Sequence, residues 1–299
     1  MNEQNNNMPQ RGESIFKFIM PVLIMLAVQF LVQLFAGQLM FFYKGYTYTE
    51  GTYDDFVMGY QNALISDKFV MAESMLNTFV LAVVFLVWYR SAIVHSANLS
   101  LRQKCKVKGV LNWKIVPGVL LTGAGAGVFA TYVIQFITQI KPDLLETGAD
   151  VMSMISADNS LLVNAALIIY FVVLTPICQE LAFRGLTLGF AERRMRFLSA
   201  NIIQAILFGA LSMNVPQMIY FFAFGLVLGY VYYRTENILI PIMCNMMFCI
   251  TRLVLNNVDF ISDNIVAFFL TFLVGMIAAY VGVALIKQSK VTDNTNVDM

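Results

Sequence analysis

Long apolar runs separated by short charged stretches dominate the chain. Most of these runs reach the length of about 18 residues at which an apolar segment is read as a transmembrane helix. The predicted spans cover residues 15–43, 70–92, 115–140, 161–190, 198–213, 217–233, 238–256 and 264–287. The fifth and sixth spans are the shortest and are joined through a brief Asn-Val-Pro-Gln stretch. The pattern predicts an all-α, multi-pass transmembrane helical bundle of about eight spans.

The same pattern divides the chain into four parts. Residues 1–14 are rich in Asn and Gln, which favours a disordered tail. Residues 15–160 form a three-span region with its loops, residues 161–256 form the core, and residues 257–299 contain the last span and a second tail. The first apolar run is too long for the apolar part of a signal peptide and lacks a small-residue cleavage site. We therefore expect it to remain in the protein as a span.

The charged connections predict the orientation of the bundle. The second connection is flanked by basic residues with no acid among them: Arg90, Arg102, Lys104, Lys106, Lys108 and Lys114. The connections 141–160 and 257–263 are mainly acidic. The positive-inside rule then places both termini in the cytoplasm. Only 12% of the residues are charged, about half the usual share of a soluble domain. The expected environment is the lipid bilayer of a cell membrane, and nothing indicates nucleic acid as a partner.

Glycines recur at a spacing of four residues within two of the spans. Gly123 and Gly127 lie in the third span, and Gly225 and Gly229 lie in the sixth. Small residues at this spacing let two helices approach closely in lipid. We expect both pairs to mark helix contacts.

A short polar string interrupts the fourth apolar run. It contains Gln179, Glu180 and Arg184. Ionisable side chains inside a membrane span are costly, and by default they indicate a functional site. At positions i and i+4 of a helix, Glu180 and Arg184 share a face and can pair. The pair alone leaves two roles open, a structural ion pair that holds the helix to its neighbours and a functional site.

Two later segments accompany this polar string. Phe208-Gly-Ala-Leu-Ser212 lies in the fifth span, and the seventh span contains Asn245 followed four residues later by Cys249. Together, residues 179–249 resemble the core of the CAAX protease and bacteriocin-processing family, also called the Abi family. Its members are intramembrane endopeptidases and include type II CAAX prenyl proteases. The resemblance implies a multi-pass protein of a bacterial plasma membrane.

The family pattern is Glu-Glu-x-x-x-Arg, then Phe-x-x-x-His, then a His four residues before an Asn. The matching positions are Glu180, Arg184 and Phe208. The substituted positions are Gln179 for the first Glu, Ser212 for the first His, Asn245 for the second His and Cys249 for the Asn. The resemblance implies that the first Glu and the two His activate a water, that the Asn helps to stabilise the oxyanion, and that the second Glu pairs with the Arg. An amide or a hydroxyl can orient a water but cannot take its proton near neutral pH.

Other chemistries have little support in the sequence. The only histidine, His95, lies in a predicted cytoplasmic loop. A single intramembrane carboxylate is a poor zinc site, so we expect neither a metal nor another cofactor. Ser212 has no His or Lys base in any span, and Cys178 and Cys249 have no His partner, which disfavours a serine or cysteine hydrolase.

Three functions remain open, and with them the question of whether the protein is an enzyme. The favoured one is a catalytically impaired family member, a pseudoenzyme that binds a peptide or a membrane-protein partner in an intramembrane cavity facing the cytoplasm, or at its outer surface. The second is an active endopeptidase that processes prenylated or leader-bearing peptides, with Glu180 as the base and Ser212 and Asn245 holding the water. The third is a permease-like protein, which is disfavoured because few charged residues lie at depth.

Overall fold

The computed structural model describes residues 15–49, 51–96, 113–141, 155, 159–212, 214–256 and 265–288. The regular structure within these ranges is entirely helical. The helices are α1 (Met20–Thr47), α2 (Tyr53–Leu64), α3 (Asp67–Val94), α4 (Ile115–Ile140), α5 (Leu161–Ala191), α6 (Phe197–Ala210), α7 (Val215–Thr235), α8 (Leu239–Asn256) and α9 (Ile265–Gln288).

Eight of these helices correspond to the eight predicted spans, which confirms the all-α membrane bundle. Six are long and apolar enough to cross a membrane, namely α1, α3, α4, α5, α7 and α9, while α6 and α8 are shorter apolar helices. The sixth span was expected to be short, but α7 has 21 residues. By contrast, α6 has 14 residues, so at 1.5 Å per residue it extends for about 21 Å, less than the bilayer core of about 30 Å.

Helix α2 is absent from the predicted spans. Its N-terminus is capped by Thr52, whose hydroxyl accepts from the Asp55 backbone N–H, while the Asp55 carboxylate accepts from the Thr52 backbone N–H at 2.9 Å. This reciprocal arrangement satisfies two of the N–H groups that a helix start leaves unpaired. A short helix of mixed polarity is not detected as a long apolar run. The Thr-x-x-Asp pattern of Thr52 and Asp55 is the sequence feature that could have predicted its start.

The glycines of α4 bring its backbone against two neighbouring helices. A Cβ at Gly123 would collide with the carbonyl oxygen of Cys244 in α8, and a Cβ at Gly127 would lie 3.0 Å from the carbonyl oxygen of Phe248 in the same helix. On another face of α4, a Cβ at Gly125 would collide with backbone atoms of α9. The predicted close contact at Gly123 and Gly127 is therefore confirmed, and α4 serves as a shared support for α8 and α9.

Helix α5 departs from regular α-helical hydrogen bonding in two stretches. The segments Tyr170–Leu174 and Leu181–Leu188 are π-helical. In the first, the Thr175 backbone N–H reaches back five residues to the Tyr170 carbonyl. Pro176 follows directly, and since proline has no N–H to donate, the local hydrogen-bond pattern must adjust around it. The second stretch contains Arg184, and π-helical turns within α-helices are frequent at functional sites.

Several predictions concern residues outside the described ranges. These are the disordered tail 1–14 and most of the charged connections, in residues 97–112, 142–154, 156–158 and 257–264. The cytoplasmic position of both termini stays a prediction.

Candidate functional site

Glu180 lies at the centre of a buried polar cluster formed by α5 and α8. Its Oε1 atom accepts a hydrogen bond from Arg184 Nη1 at 2.9 Å and another from Asn245 Nδ2 at 2.7 Å. The side chains of all three residues are 0% exposed. A buried charge is tolerated when it is paired and hydrogen-bonded, so the two donors account for a carboxylate at this depth.

Asn245 connects two further residues to this centre. Its Nδ2 atom also donates to Gln179 Oε1 at 3.1 Å, and the Cys249 thiol one turn along α8 lies 3.9 Å from Asn245 Oδ1. Cys249 is buried, whereas Gln179 is half-buried. We call Gln179, Glu180, Arg184, Asn245 and Cys249 the Glu180 cluster. The structure thus brings together five of the six site residues that the sequence indicated.

Ser212 is the sixth of these residues and lies apart. It follows the last turn of α6, where its hydroxyl is 2.8 Å from the carbonyl oxygen of Gly209 and 3.2 Å from that of Asn214. Among the residues that the structure describes, no hydrogen bond links Ser212 to the Glu180 cluster. Its hydroxyl is therefore engaged by its own turn.

Arg184 also connects the cluster to α6 and α7. Its Nη2 atom donates to the Gly225 carbonyl of α7 at 3.3 Å, and its guanidinium carbon lies 4.5 Å from the centre of the Phe208 ring of α6. A guanidinium over an aromatic face is attracted by the ring, more strongly where water is excluded. The contact gives Phe208, one of the positions that match the family pattern, a physical role in holding Arg184.

Two amides on α6 extend this network, and the sequence analysis missed both. Gln204 Nε2 donates to the Gly225 carbonyl at 2.8 Å and to Asn201 Oδ1 at 2.7 Å. Asn201 Nδ2 donates to the Leu226 carbonyl at 3.0 Å. Gly229 makes room for this, because a Cβ there would collide with the Asn201 side chain. The sequence feature that could have indicated them is an Asn and a Gln three residues apart in a largely apolar helix.

Three buried atoms of the network lack a hydrogen-bond partner among the described residues. They are Glu180 Oε2, Arg184 Nε and Gln204 Oε1. Buried polar atoms are nearly always paired with protein or with ordered water. Glu180 Oε2 is therefore an acceptor available to a water or to a small polar group, while the Oε1 atom of the same carboxylate is occupied.

The donor set around Glu180 is suited to hydrogen bonding and does not resemble a metal site. Within the described ranges, no three His, Cys, Asp or Glu side chains converge in a way that could hold a metal ion. His95 lies just past the end of α3, with Nδ1 3.0 Å from the Arg90 carbonyl oxygen. The cluster can orient a polar group by hydrogen bonds, and Glu180 is its only carboxylate.

A comparison with protein families identifies the segment that carries this site. Residues 161–251 match the model of the type II CAAX prenyl endopeptidases described as Rce1-like. This part of the chain is similar to the Rce1-like endopeptidases. The match confirms the family resemblance noted in the sequence, and it includes the whole Glu180 cluster as well as Ser212. The matched segment runs from the start of α5 into α8.

One curated relative supports the same assignment. The chain is 27% identical over 81 residues to a protein of Bacillus subtilis (strain 168) that carries the provisional name of membrane peptidase YdiL. The aligned part covers 27% of this chain and 33% of the relative, so the chain spans about a third of the length of that relative. No solved structure matches the chain significantly. Together with the apolar helices, the relative indicates a multi-pass protein of the cell membrane.

Proposed function

We propose that this protein is a non-catalytic relative of the Rce1-like peptidases that binds a peptide or a membrane-protein partner. One observation carries the proposal. The Asn245 amide donates to both Gln179 and Glu180, so two of the positions that the family resemblance assigns to water activation are hydrogen-bonded to each other. Neither amide can take a proton from a water near neutral pH.

The burial of the cluster points in the same direction. Glu180, Arg184 and Asn245 are fully enclosed, and a peptide carbonyl cannot reach the carboxylate unless α5 and α8 separate. Gln179 is half-buried, and its Nε2 atom has no hydrogen-bond partner among the described residues. This free amide N–H can donate to a carbonyl of a bound peptide, which makes Gln179 the member of the cluster most suited to contact a partner.

Cleavage of defined peptides tests the non-catalytic part of the proposal. The purified protein in liposomes is incubated with a farnesylated peptide and with a leader-bearing peptide, each carrying a fluorophore and a quencher. We expect no cleavage above the protein-free background, and we expect Glu180→Gln to leave that result unchanged. Cleavage by the native protein that disappears in Glu180→Gln would contradict the proposal.

Restoring the family residues provides a matched gain-of-function experiment. If the fold is that of a peptidase whose reactive groups have been replaced, the triple variant Gln179→Glu, Ser212→His, Asn245→His should cleave the same peptides. Adding Glu180→Gln to this variant gives the control, because loss of the new activity would show that it arises at the cluster. A triple variant that folds and stays inactive would show that the three substitutions alone do not account for the lack of cleavage by the native protein.

Binding of the same peptides tests the second part of the proposal. With a singly labelled peptide, fluorescence anisotropy should report binding to the native protein in liposomes. We expect Gln179→Ala to weaken binding about 2- to 10-fold, the usual worth of one hydrogen bond. Gln217→Ala, at another half-buried glutamine on α7, is the control and should bind normally. Equal binding by all three proteins would exclude Gln179 from the partner contact.

A second candidate, an active endopeptidase that uses Glu180, is favoured by one specific observation. The unpartnered Oε2 atom of Glu180 is an oxygen that could accept a proton from a water placed beside it. In this case the native protein should cleave one of the two peptides, and the restoring triple variant should be slower than the native protein. The cleavage experiment therefore separates the two candidates.

A further inference from the structure

A cavity lies between the last turns of α7 and α9, and no residue of the Glu180 cluster lines it. Its volume is about 580 Å³. Its principal lining side chains come from one face of each helix: Tyr230 and Arg234 from α7, and Tyr280, Ala284, Lys287 and Gln288 from α9. The cavity therefore opens at one end of the bundle.

The charge of the lining is entirely positive. Arg234 and Lys287 both line the cavity, and no carboxylate does. Within the described part of the chain, neither side chain has an ion-pair or hydrogen-bond partner. Two unneutralised cations on one concave surface attract an anion. A guanidinium matches the oxygens of a phosphate in geometry, and an ammonium adds a second point charge.

The position of the cavity favours a lipid over a soluble anion as the source of the phosphate. Arg234 is next to the last residue of α7, and Lys287 is next to the last residue of α9. Helix α7 has 21 residues, about 31 Å at 1.5 Å per residue, which is close to the thickness of the bilayer core. Side chains at its end accordingly lie at the level of the lipid headgroups.

An exposed apolar strip on α9 continues away from the cavity. Leu273, Ile277 and Tyr280 are 55%, 54% and 77% exposed and follow each other at helical spacing on one side of the helix. A phospholipid would place its phosphate between the two cations and an acyl chain along this strip. A soluble anion would use the cations alone.

We propose that this cavity binds the headgroup of an anionic phospholipid. Arg234 and Lys287 hold the phosphate, Tyr230 offers its hydroxyl as a further donor, and an acyl chain lies along the strip on α9. Basic residues at the C-terminal end of a helix also interact favourably with the helix dipole. The helix dipole does not explain why Arg234 and Lys287 face the same cavity, because each residue could interact with its own helix end without one.

Native mass spectrometry of the full-length protein tests the proposal with phosphatidylglycerol and phosphatidylcholine as probes. We expect the native protein to retain phosphatidylglycerol preferentially. The double variant Arg234→Gln, Lys287→Gln should bind phosphatidylglycerol about 30-fold more weakly, since each basic residue near the surface contributes about a factor of five. The control is Arg90→Gln, Arg196→Gln, which removes the same charge at two exposed positions outside the cavity.

Four results would overturn the proposal. The first is equal retention of the two lipids by the native protein, and the second is an equal loss of phosphatidylglycerol in the control variant. The third is displacement of phosphatidylglycerol by millimolar inorganic phosphate, which would identify a site for a soluble anion. A lower melting temperature of the Arg234→Gln, Lys287→Gln variant with unchanged lipid preference would show that the two cations act only on the helix ends, and would also count against it.

Discussion

Asn245 bridges two consecutive residues of α5 with a single amide nitrogen. Glu180 thereby receives one donor from its own helix, Arg184, and one donor from α8. The second donor comes from a distant part of the sequence and ties α8 to α5. The ion pair and the amide together explain how a carboxylate is kept in the interior of a membrane protein, where an unpaired charge is costly.

The first prediction concerns this ion pair and uses a double-mutant cycle. Arg184→Met should lower the free energy of unfolding by about 3–5 kcal/mol, because it leaves the buried carboxylate without its cation. The double variant Glu180→Leu, Arg184→Met removes both charges and should be more stable than Arg184→Met alone. Unfolding in mixed micelles measures both variants and the single variant Glu180→Leu that completes the cycle.

Arg90→Met is the control for this cycle, since Arg90 is exposed on α3. We expect it to change the free energy of unfolding by no more than about 0.5 kcal/mol. If Arg184→Met were as stable as Arg90→Met, the ion pair would have no structural role.

At the residue scale, the sequence predicted the charged pair Glu180 and Arg184 but gave no prediction for the α6 amides Asn201 and Gln204. The spacing of Glu180 and Arg184 on one helix face is readable from the chain, because the two lie on the same element. Gln204 and Asn201 were missed because an amide is less costly in a membrane than a charge and attracts less notice. Their role depends on carbonyl groups of α7, a helix that follows later in the chain.

At the scale of the elements, glycines determine how closely α4 approaches its neighbours. Gly123 faces α8 and Gly125 faces α9, each close enough that a side chain would strike backbone. In lipid, no hydrophobic force brings helices together, so association depends on close packing and hydrogen bonds. We therefore expect the contacts of α4 to contribute much of the cohesion of this half of the bundle.

The second prediction compares two glycines within helices. Gly123→Ala should lower the free energy of unfolding by about 1–3 kcal/mol, because the added methyl group collides with the backbone of α8. Gly45→Ala in α1 is the control, since a Cβ there meets nothing within 4 Å. We expect Gly45→Ala to be neutral or to stabilise by up to about 1 kcal/mol.

The same unfolding measurements decide this comparison, with helicity followed by circular dichroism. A Gly123→Ala protein as stable as the Gly45→Ala protein would mean that α4 and α8 can move apart without loss. The long apolar runs and the glycine spacing made these helices predictable. Helix α2 was not predictable from apolar runs, because its 12 residues depend on a capping pair and on contacts with α1 and α3.

At the scale of the whole molecule, the predicted topology of eight crossings would place alternate connections on opposite sides of the membrane. If all eight cross, the end of α1 and the start of α6 face different sides. Tyr46, near the end of α1, is 90% exposed, and Arg196, just before α6, is also exposed. The positive-inside rule places Arg196 in the cytoplasm and Tyr46 outside.

The third prediction uses single cysteines at these two positions. The background protein carries Cys105→Ser, and its other cysteines, Cys178, Cys244 and Cys249, are buried. On intact cells, a membrane-impermeant maleimide should label Tyr46→Cys and should label Arg196→Cys only after the membrane is permeabilised. The reverse pattern would invert the orientation, and labelling of both on intact cells would show that one of α3, α4 and α5 does not cross the membrane.

The close contact of α4 with α8 and α9 has a mechanical consequence for the Glu180 cluster. Glycines of α4 pack directly against the backbones of α8 and α9, so these three helices should move as one rigid body. Asn245 is part of this body because it lies on α8. Access to Glu180 then requires this body to tilt away from α5, which breaks the two hydrogen bonds from Asn245. Asn245 thus joins α8 to α5 by hydrogen bonds that an opening of the cluster must break.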